Sequence, residues 1–192
     1  MRIIVITQPY FYEGEAALIN RLFNSGLATL HLRKPLSSFT DMSALLRSVE
    51  SCHYSKIVLH DHFDLLMSFP LKGVHLNSRN PICNYEEPHS ISTSCHSISE
   101  LSVLTPKYYY LFLSPIFDSI SKTGYKAAFS TEELAQAKMA GIINEKVIAL
   151  GGVTRARLPQ IEQMGFGGAA VLGDVWTHID AYCELFQSSS YH

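Results

Sequence analysis

Short apolar, β-branched runs alternate with longer amphipathic stretches along almost the whole chain. The runs at 2–7 (RIIVIT), 28–33 (ATLHLR), 56–60 (KIVLH), 73–76 (GVHL), 90–94 (SISTS), 108–113 (YYYLFL), 146–150 (KVIAL) and 168–172 (GAAVL) have the length and residue types of strands. Between them, helical spacing of apolar positions predicts helices at about 15–25, 38–51, 62–68, 97–104, 131–140, 155–164 and 178–187. The polar, Pro-containing stretch 77–89 and the aperiodic run 114–128 read as loops.

A strand–helix alternation of this kind implies βα units, a parallel sheet and right-handed crossovers. Eight strands with nearly as many helices predict a single-domain (β/α)8 TIM barrel over residues 1–187, with 188–192 as a disordered tail. An open doubly wound sheet is the competing arrangement, but it expects a Gly-rich turn after the first strand, where this chain has Thr7-Gln8-Pro9-Tyr10.

Composition narrows the function. The 192 residues are 47% hydrophobic and 17% charged, which is globular rather than disordered. A net charge of -2 without a basic stripe argues against nucleic acid or an anionic membrane as the partner. No apolar run reaches the length of a membrane span. The run Ile3–Ile6 lacks a cleavage site and reads as a strand rather than a signal peptide. Cys52, Cys83, Cys95 and Cys183 are scattered, as expected of thiols in a reducing cytoplasm. A cytoplasmic protein is therefore expected, with a homodimer left open.

Parallel barrels place ligands at the carboxyl ends of their strands. The second strand is followed by Arg33 and Lys34, the third by His60, Asp61 and His62, the fifth by Ser94, Cys95 and His96, and the seventh and eighth by Gly151-Gly152 and Leu172-Gly173. Each is also compatible with a hydrogen-bonded structural role; their collection on one face is the stronger signal. Gly151-Gly152 suits a backbone N–H cradle for phosphate, with Thr154 as a cap for the helix that follows and Gly173 as the second half. Ser119, Ser121 and Lys122 could grip a terminal phosphate from a mobile loop, and Arg33 with Lys34 could neutralise another. Asp61 is either a helix N-cap or a ligand for Mg2+, which needs few protein carboxylates when phosphate oxygens complete its shell. His60-x-His62 also admits a zinc site.

Six segments, in this order, resemble the thiamine phosphate synthase and thiazole tautomerase superfamily. They are Leu30-His31-Leu32-Arg33-Lys34, Leu59-His60-Asp61, Gly73-Val74-His75-Leu76, Ser92–Ser97, Ser114-Pro115-Ile116-Phe117 with Ser119-x-Ser121-Lys122, and Ala149–Val153. The resemblance implies a transferase that joins hydroxymethylpyrimidine diphosphate to a thiazole phosphate and releases diphosphate, with Mg2+. It places Arg33, Ser119, Ser121 and Lys122 on the diphosphate, Asp61 on the metal, Ser94 at the pyrimidine amino group, and Gly152 and Gly173 on the thiazole phosphate. His31, Lys34, His60, Gly151 and Leu172 complete the expected substrate contacts. The chain departs from the family pattern at His31 (usually Gln), Pro35 (usually Lys), His60 (usually Asn) and Asn80 (usually the second metal carboxylate). His96 matches the histidine of the tautomerase branch, so a tautomerase and a non-catalytic ligand-binding relative remain alternatives. The retained Ser-x-Ser-Lys and Asp61 favour the synthase.

Overall fold

The computed structural model describes residues 1–85, 90–118 and 127–188. Its eight strands are β1 (Arg2–Ile6), β2 (Leu30–Leu32), β3 (Ile57–Leu59), β4 (Gly73–Leu76), β5 (Ser90–Cys95), β6 (Tyr110–Leu113), β7 (Val147–Ala149) and β8 (Gly168–Val171). All pair in parallel with their sequence neighbours, and β1 pairs with β8 from Arg2↔Gly168 to Val5↔Val171, which closes the barrel. The helices are α1 (Glu15–Asn24), α2 (Phe39–Ser48), α3 (Ile98–Leu104), α4 (Thr131–Met139), α5 (Leu158–Gln163), α6 (Gly173–Thr177) and α7 (Ile179–Gln187).

Local chemistry accounts for several helix starts. Ser38 and Ser97 each accept a hydrogen bond from the third helical N–H, at 3.1 and 3.2 Å. Ser130 and Glu133 form a reciprocal capping box at α4. Two expectations fail here. The stretch 62–68 is a 3-10 turn (Phe63–Met67) entered through His62 at φ 55°, and Asp61 does not cap it. Thr154 makes no side-chain cap either; the Arg155 N–H donates instead to Asp174 Oδ2 at 2.8 Å, tying the loops after β7 and β8 together. α6 also escaped the periodicity, because five residues are too few to show one.

Strand alternation sorts the core into two layers. Ile3, Val5, Leu30, Leu32, Ile57, Leu59, Val74, Leu111, Leu113, Val147 and Val171 face outward into the main cluster beneath the helices. Ile4, Ile6, Tyr110, Phe112, Ile148 and Ala170 form a second cluster, with Leu150 and Leu172 packed against it. Those residues come from β1, β6, β7 and β8. The buried polar residues His31, His75 and Ser92 lie on β2, β4 and β5. One side of the barrel interior is thus oily and the other polar, and the candidate site is at the boundary.

Candidate active site

A cavity of about 610 Å3 opens at the carboxyl ends of the strands, lined by Arg33, His60, His75, Arg79, Ser94, His96, Phe112, Leu150 and Leu172, among others. Its apolar wall comes from the inward layer of β6–β8. Its polar wall comes from the ends of β2–β5.

Three histidines form the floor of the polar side. His31 Nδ1 and His60 Nε2 are 2.8 Å apart and share a hydrogen bond, while His31 Nε2 meets the Tyr110 hydroxyl. The His60 and His75 rings stack with centroids 4.3 Å apart. Burial holds all three below the ordinary histidine range; the neighbouring histidines add to this at His31 and His60, and the Arg33 charge adds to it at His75, which is lowered to about 3. They are neutral at physiological pH. His75 Nδ1 lies 2.9 Å from Ser92 Oγ and Nε2 lies 3.0 Å from Ser94 Oγ. The Ser94 oxygen keeps a lone pair for the cavity whichever His75 nitrogen carries the proton. It is an acceptor for a ligand N–H group.

Charge sits above this floor. The Arg33 backbone is fixed by Thr7, whose Oγ1 accepts from Arg33 N at 2.9 Å and donates to Arg33 O at 3.2 Å. Burial and the neighbouring Arg79 charge lower the Arg33 pKa, and Asp61 opposes them. Asp61 Oδ1 accepts from Arg79 Nε at 3.2 Å, Arg79 Nη2 at 2.9 Å and Asn80 Nδ2 at 3.0 Å. Asp61 Oδ2 is buried with no hydrogen-bond partner among the described residues, an orphaned acceptor of the kind that suits a hard cation. His96 stands at the rim, with Nδ1 3.1 Å from Ser114 O and 3.4 Å from Ser114 Oγ.

Of the expected residues, the cavity brings together Arg33, His60, Ser94, His96 and Leu172, with Asp61 beneath Arg79. Lys34 is a correction. Its ammonium is buried outside the cavity and donates to Gln8 O (2.9 Å), Tyr10 O (2.6 Å) and Glu15 Oε1 (2.6 Å), so it has no donor left for a phosphate. His31 is a second correction: it is fully buried behind His60 and positions that ring rather than lining the cavity. The zinc reading of His60-x-His62 also fails, because His62 Nε2 turns away to Ser37 O at 2.8 Å. Ser119, Ser121 and Lys122 lie outside the described residues.

The glycines divide. Gly151 and Gly152 adopt φ of 95° and 62°, and a Cβ on Gly152 would sit 2.4 Å from Asp118 O. Their lack of side chains is thus required by the loop packed over them, which also donates Ile116 N–H to Leu150 O and Phe117 N–H to Gly151 O. Gly173, the first residue of α6, has nothing within 4 Å of where a Cβ would be. A side chain at Gly152 would therefore disturb the fold, whereas Gly173 is free to take one.

His75, Ser92, Tyr110 and Arg79 join the site beyond the residues expected to bind substrate or metal, although His75 and Ser92 fall within the family-like segments. The first three carry one available signal: each shares the inward parity of its strand. Arg79 carries none, because its position depends on the closure of the loop after β4.

Comparison with known proteins agrees with this geometry. The family described as "Thiamine monophosphate synthase" matches residues 3–175. A thiamine-phosphate synthase of Listeria welshimeri is 27% identical over 137 residues, 65% of this chain and 62% of that protein, so the match spans less than two thirds of the relative's length. One from Serratia proteamaculans is 25% identical over 166 residues, covering 82% of this chain and 78% of that protein. The crystal structure of a thiamine phosphate pyrophosphorylase from Bacteroides thetaiotaomicron superposes with a TM-score of 0.86 at 37% identity over 100% of both chains. A Pyrococcus furiosus thiamine phosphate pyrophosphorylase, at 17% identity and TM-score 0.67 over 96% of each chain, shares the fold. By its match over nearly its whole length, the chain belongs to the thiamine monophosphate synthase family.

Proposed function

We propose that the chain is a transferase that couples hydroxymethylpyrimidine diphosphate to a thiazole phosphate, giving thiamine phosphate and diphosphate. The observation that carries this reading is the convergence of Arg33, Arg79 and Ser94 on one cavity whose opposite wall is apolar, with Asp61 held beneath Arg79. A pyrimidine ring suits the apolar wall of Phe112, Leu150 and Leu172, and its amino group suits the Ser94 acceptor. The bond between the pyrimidine methylene and diphosphate breaks with its electron pair going to the diphosphate oxygen. The thiazole nitrogen lone pair then forms the new C–N bond. The chain's task is to hold two reactants in register and to stabilise charge on the leaving oxygen, which Arg33 is placed to do. Lys122, Ser119 and Ser121 are proposed to add to this from the following loop, and Gly152 and Gly173 to receive the thiazole phosphate through backbone N–H groups.

A bound Mg2+ would neutralise diphosphate charge, and Asp61 Oδ2 is the oxygen that would hold it. The chain offers this ion one carboxylate, since Asn80 places an amide where the resemblance puts a second; waters and phosphate oxygens would supply the rest. The test is to mix both substrates with Mg2+ and follow thiamine phosphate by chromatography. Its formation, lost on Asp61→Ala, supports the reading.

One observation favours a second reading. His96 presents its imidazole at the cavity rim, the kind of side chain that serves as a general acid or base. A thiazole tautomerase would use it to move protons on a thiazole carboxylate phosphate. Thiazole aromatisation that disappears in His96→Ala, with no thiamine phosphate formed by wild type, would select that reading.

A further inference from the structure

Arg79 belongs to a turn that is fastened to the site. Asn77 and Asn80 exchange two backbone hydrogen bonds, at 3.1 and 3.0 Å, and Asn77 Oδ1 accepts from Arg79 N at 3.1 Å. Both amide side chains then reach the end of β3: Asn77 Nδ2 donates to His60 O at 2.8 Å, and Asn80 Nδ2 donates to His60 O at 3.0 Å and to Asp61 Oδ1. This anchoring aims the Arg79 guanidinium at the cavity, where its side chain is 42% exposed. Nε and Nη2 both donate to the same oxygen, Asp61 Oδ1. The guanidinium thus spans one carboxylate oxygen only, and no other acceptor for it exists among the described residues. Its remaining donors are available to a second oxyanion.

The charge balance points the same way. Arg33 and Arg79 contribute two positive charges at the cavity and Asp61 one negative charge, while Lys34 is already matched to Glu15 elsewhere. The surplus is positive and bears donors in a fork that matches phosphate oxygens.

We propose that Arg79 is a direct ligand of the diphosphate leaving group, providing in this chain charge compensation that a second metal carboxylate would otherwise provide through the ion. The inference rests on the synthase reading. In the step it serves, the methylene C–O bond breaks and its electron pair goes to the diphosphate oxygen. Arg79 donates hydrogen bonds to the phosphate oxygens and transfers no proton.

The experiment is calorimetric titration of inorganic diphosphate into wild type, Arg79→Gln and Arg79→Lys, with Mg2+ and again with chelator, beside turnover of the two substrates. Loss of charge-assisted hydrogen bonds predicts affinity weaker by about 10- to 100-fold in Arg79→Gln under both conditions. Arg79→Lys, which keeps the charge and loses the fork, should fall between the two. Arg79→Gln also takes hydrogen bonds from the buried Asp61, so thermal unfolding of each variant is measured and binding is compared well below the lowest midpoint. Wild-type affinity in Arg79→Gln, in a protein that still makes thiamine phosphate, overturns the inference and leaves the synthase reading standing. Weak binding in the glutamine variant only when Mg2+ is present also overturns it, since the arginine would then act through the ion. A wild type that neither binds diphosphate nor makes thiamine phosphate removes the synthase reading, and the inference with it.

Discussion

Lys34→Met separates a structural lysine from a substrate-binding one. The substitution keeps most of the aliphatic stem and removes an ammonium that satisfies Gln8 O, Tyr10 O and Glu15 Oε1. Both side chains of the ion pair are almost wholly buried, at 0% and 1% exposure. Glu15 Oε2 already has no hydrogen-bond partner, so the variant strands a carboxylate in the core. Removing one partner of a buried pair costs about 3–5 kcal/mol. For a domain of this size that corresponds to a fall in Tm of roughly 6–20 °C. The loss depends on pH with a definite sign. Burial raises the Glu15 pKa and the Lys34 hydrogen bond and charge oppose the rise; without Lys34 it stands higher still. The folded variant then holds a proton that the unfolded chain releases, so its stability falls as pH rises from the unfolded carboxylate range through the folded value, by up to about 1.4 kcal/mol per pH unit. Urea unfolding at pH 5 and pH 8 should therefore show a smaller deficit at pH 5. Lys34→Met with Glu15→Leu should recover most of the loss, because an apolar pair of similar volume needs no partner. The reasoning is refuted if the single variant unfolds like wild type and instead binds diphosphate more weakly.

Three further outcomes follow from the site. Asp61→Asn should lower thiamine phosphate formation by roughly 10²–10³-fold, the cost of one electrostatic group at a developing charge, and a rate within a factor of a few of wild type would remove Asp61 from the mechanism. Gly152→Ala should cost roughly 2 kcal/mol or more, since it strains a positive φ and meets Asp118 O, whereas Gly173→Ala should leave the unfolding midpoint unchanged; calorimetry of the thiazole phosphate with the latter variant then reads the cradle without a folding effect. His75, lowered to about 3, should show imidazole NMR signals that do not titrate from pH 8 to pH 5. Because the folded-state pKa values of His31, His60 and His75 are depressed, their contribution is full above the unfolded histidine range and is lost as pH falls below about 6.5, which acid unfolding of His75→Gln against wild type would measure.

Arg33 and Lys34 show how far the amino-acid order alone reaches. Both stand at the end of one strand, and both read equally well as phosphate ligands. Successive side chains leave a strand on opposite faces, so Arg33 follows the inward parity of His31 while Lys34 turns into the layer beneath α1. Strand order, the parallel barrel and the placement of Asp61, Ser94 and His96 at one end were legible without coordinates, because periodicity is local and all parallel strands point the same way. β4 matches its expected limits, Gly73–Leu76, and the other strands differ by one to three residues at their ends. The histidine floor was not legible in this way. His31, His60 and His75 sit on separate strands, and only barrel closure and register bring their rings into contact. Arg79 depended on tertiary structure entirely: its sequence neighbourhood is an ordinary polar loop, and the Asn77–Asn80 turn becomes a site element only when the end of β3 supplies the acceptors that hold it. Alternation along each strand is enough to assign the layers and the face that carries chemistry. Which polar groups meet on that face, and which are consumed by buried partners, was decided by contacts between residues far apart in the chain.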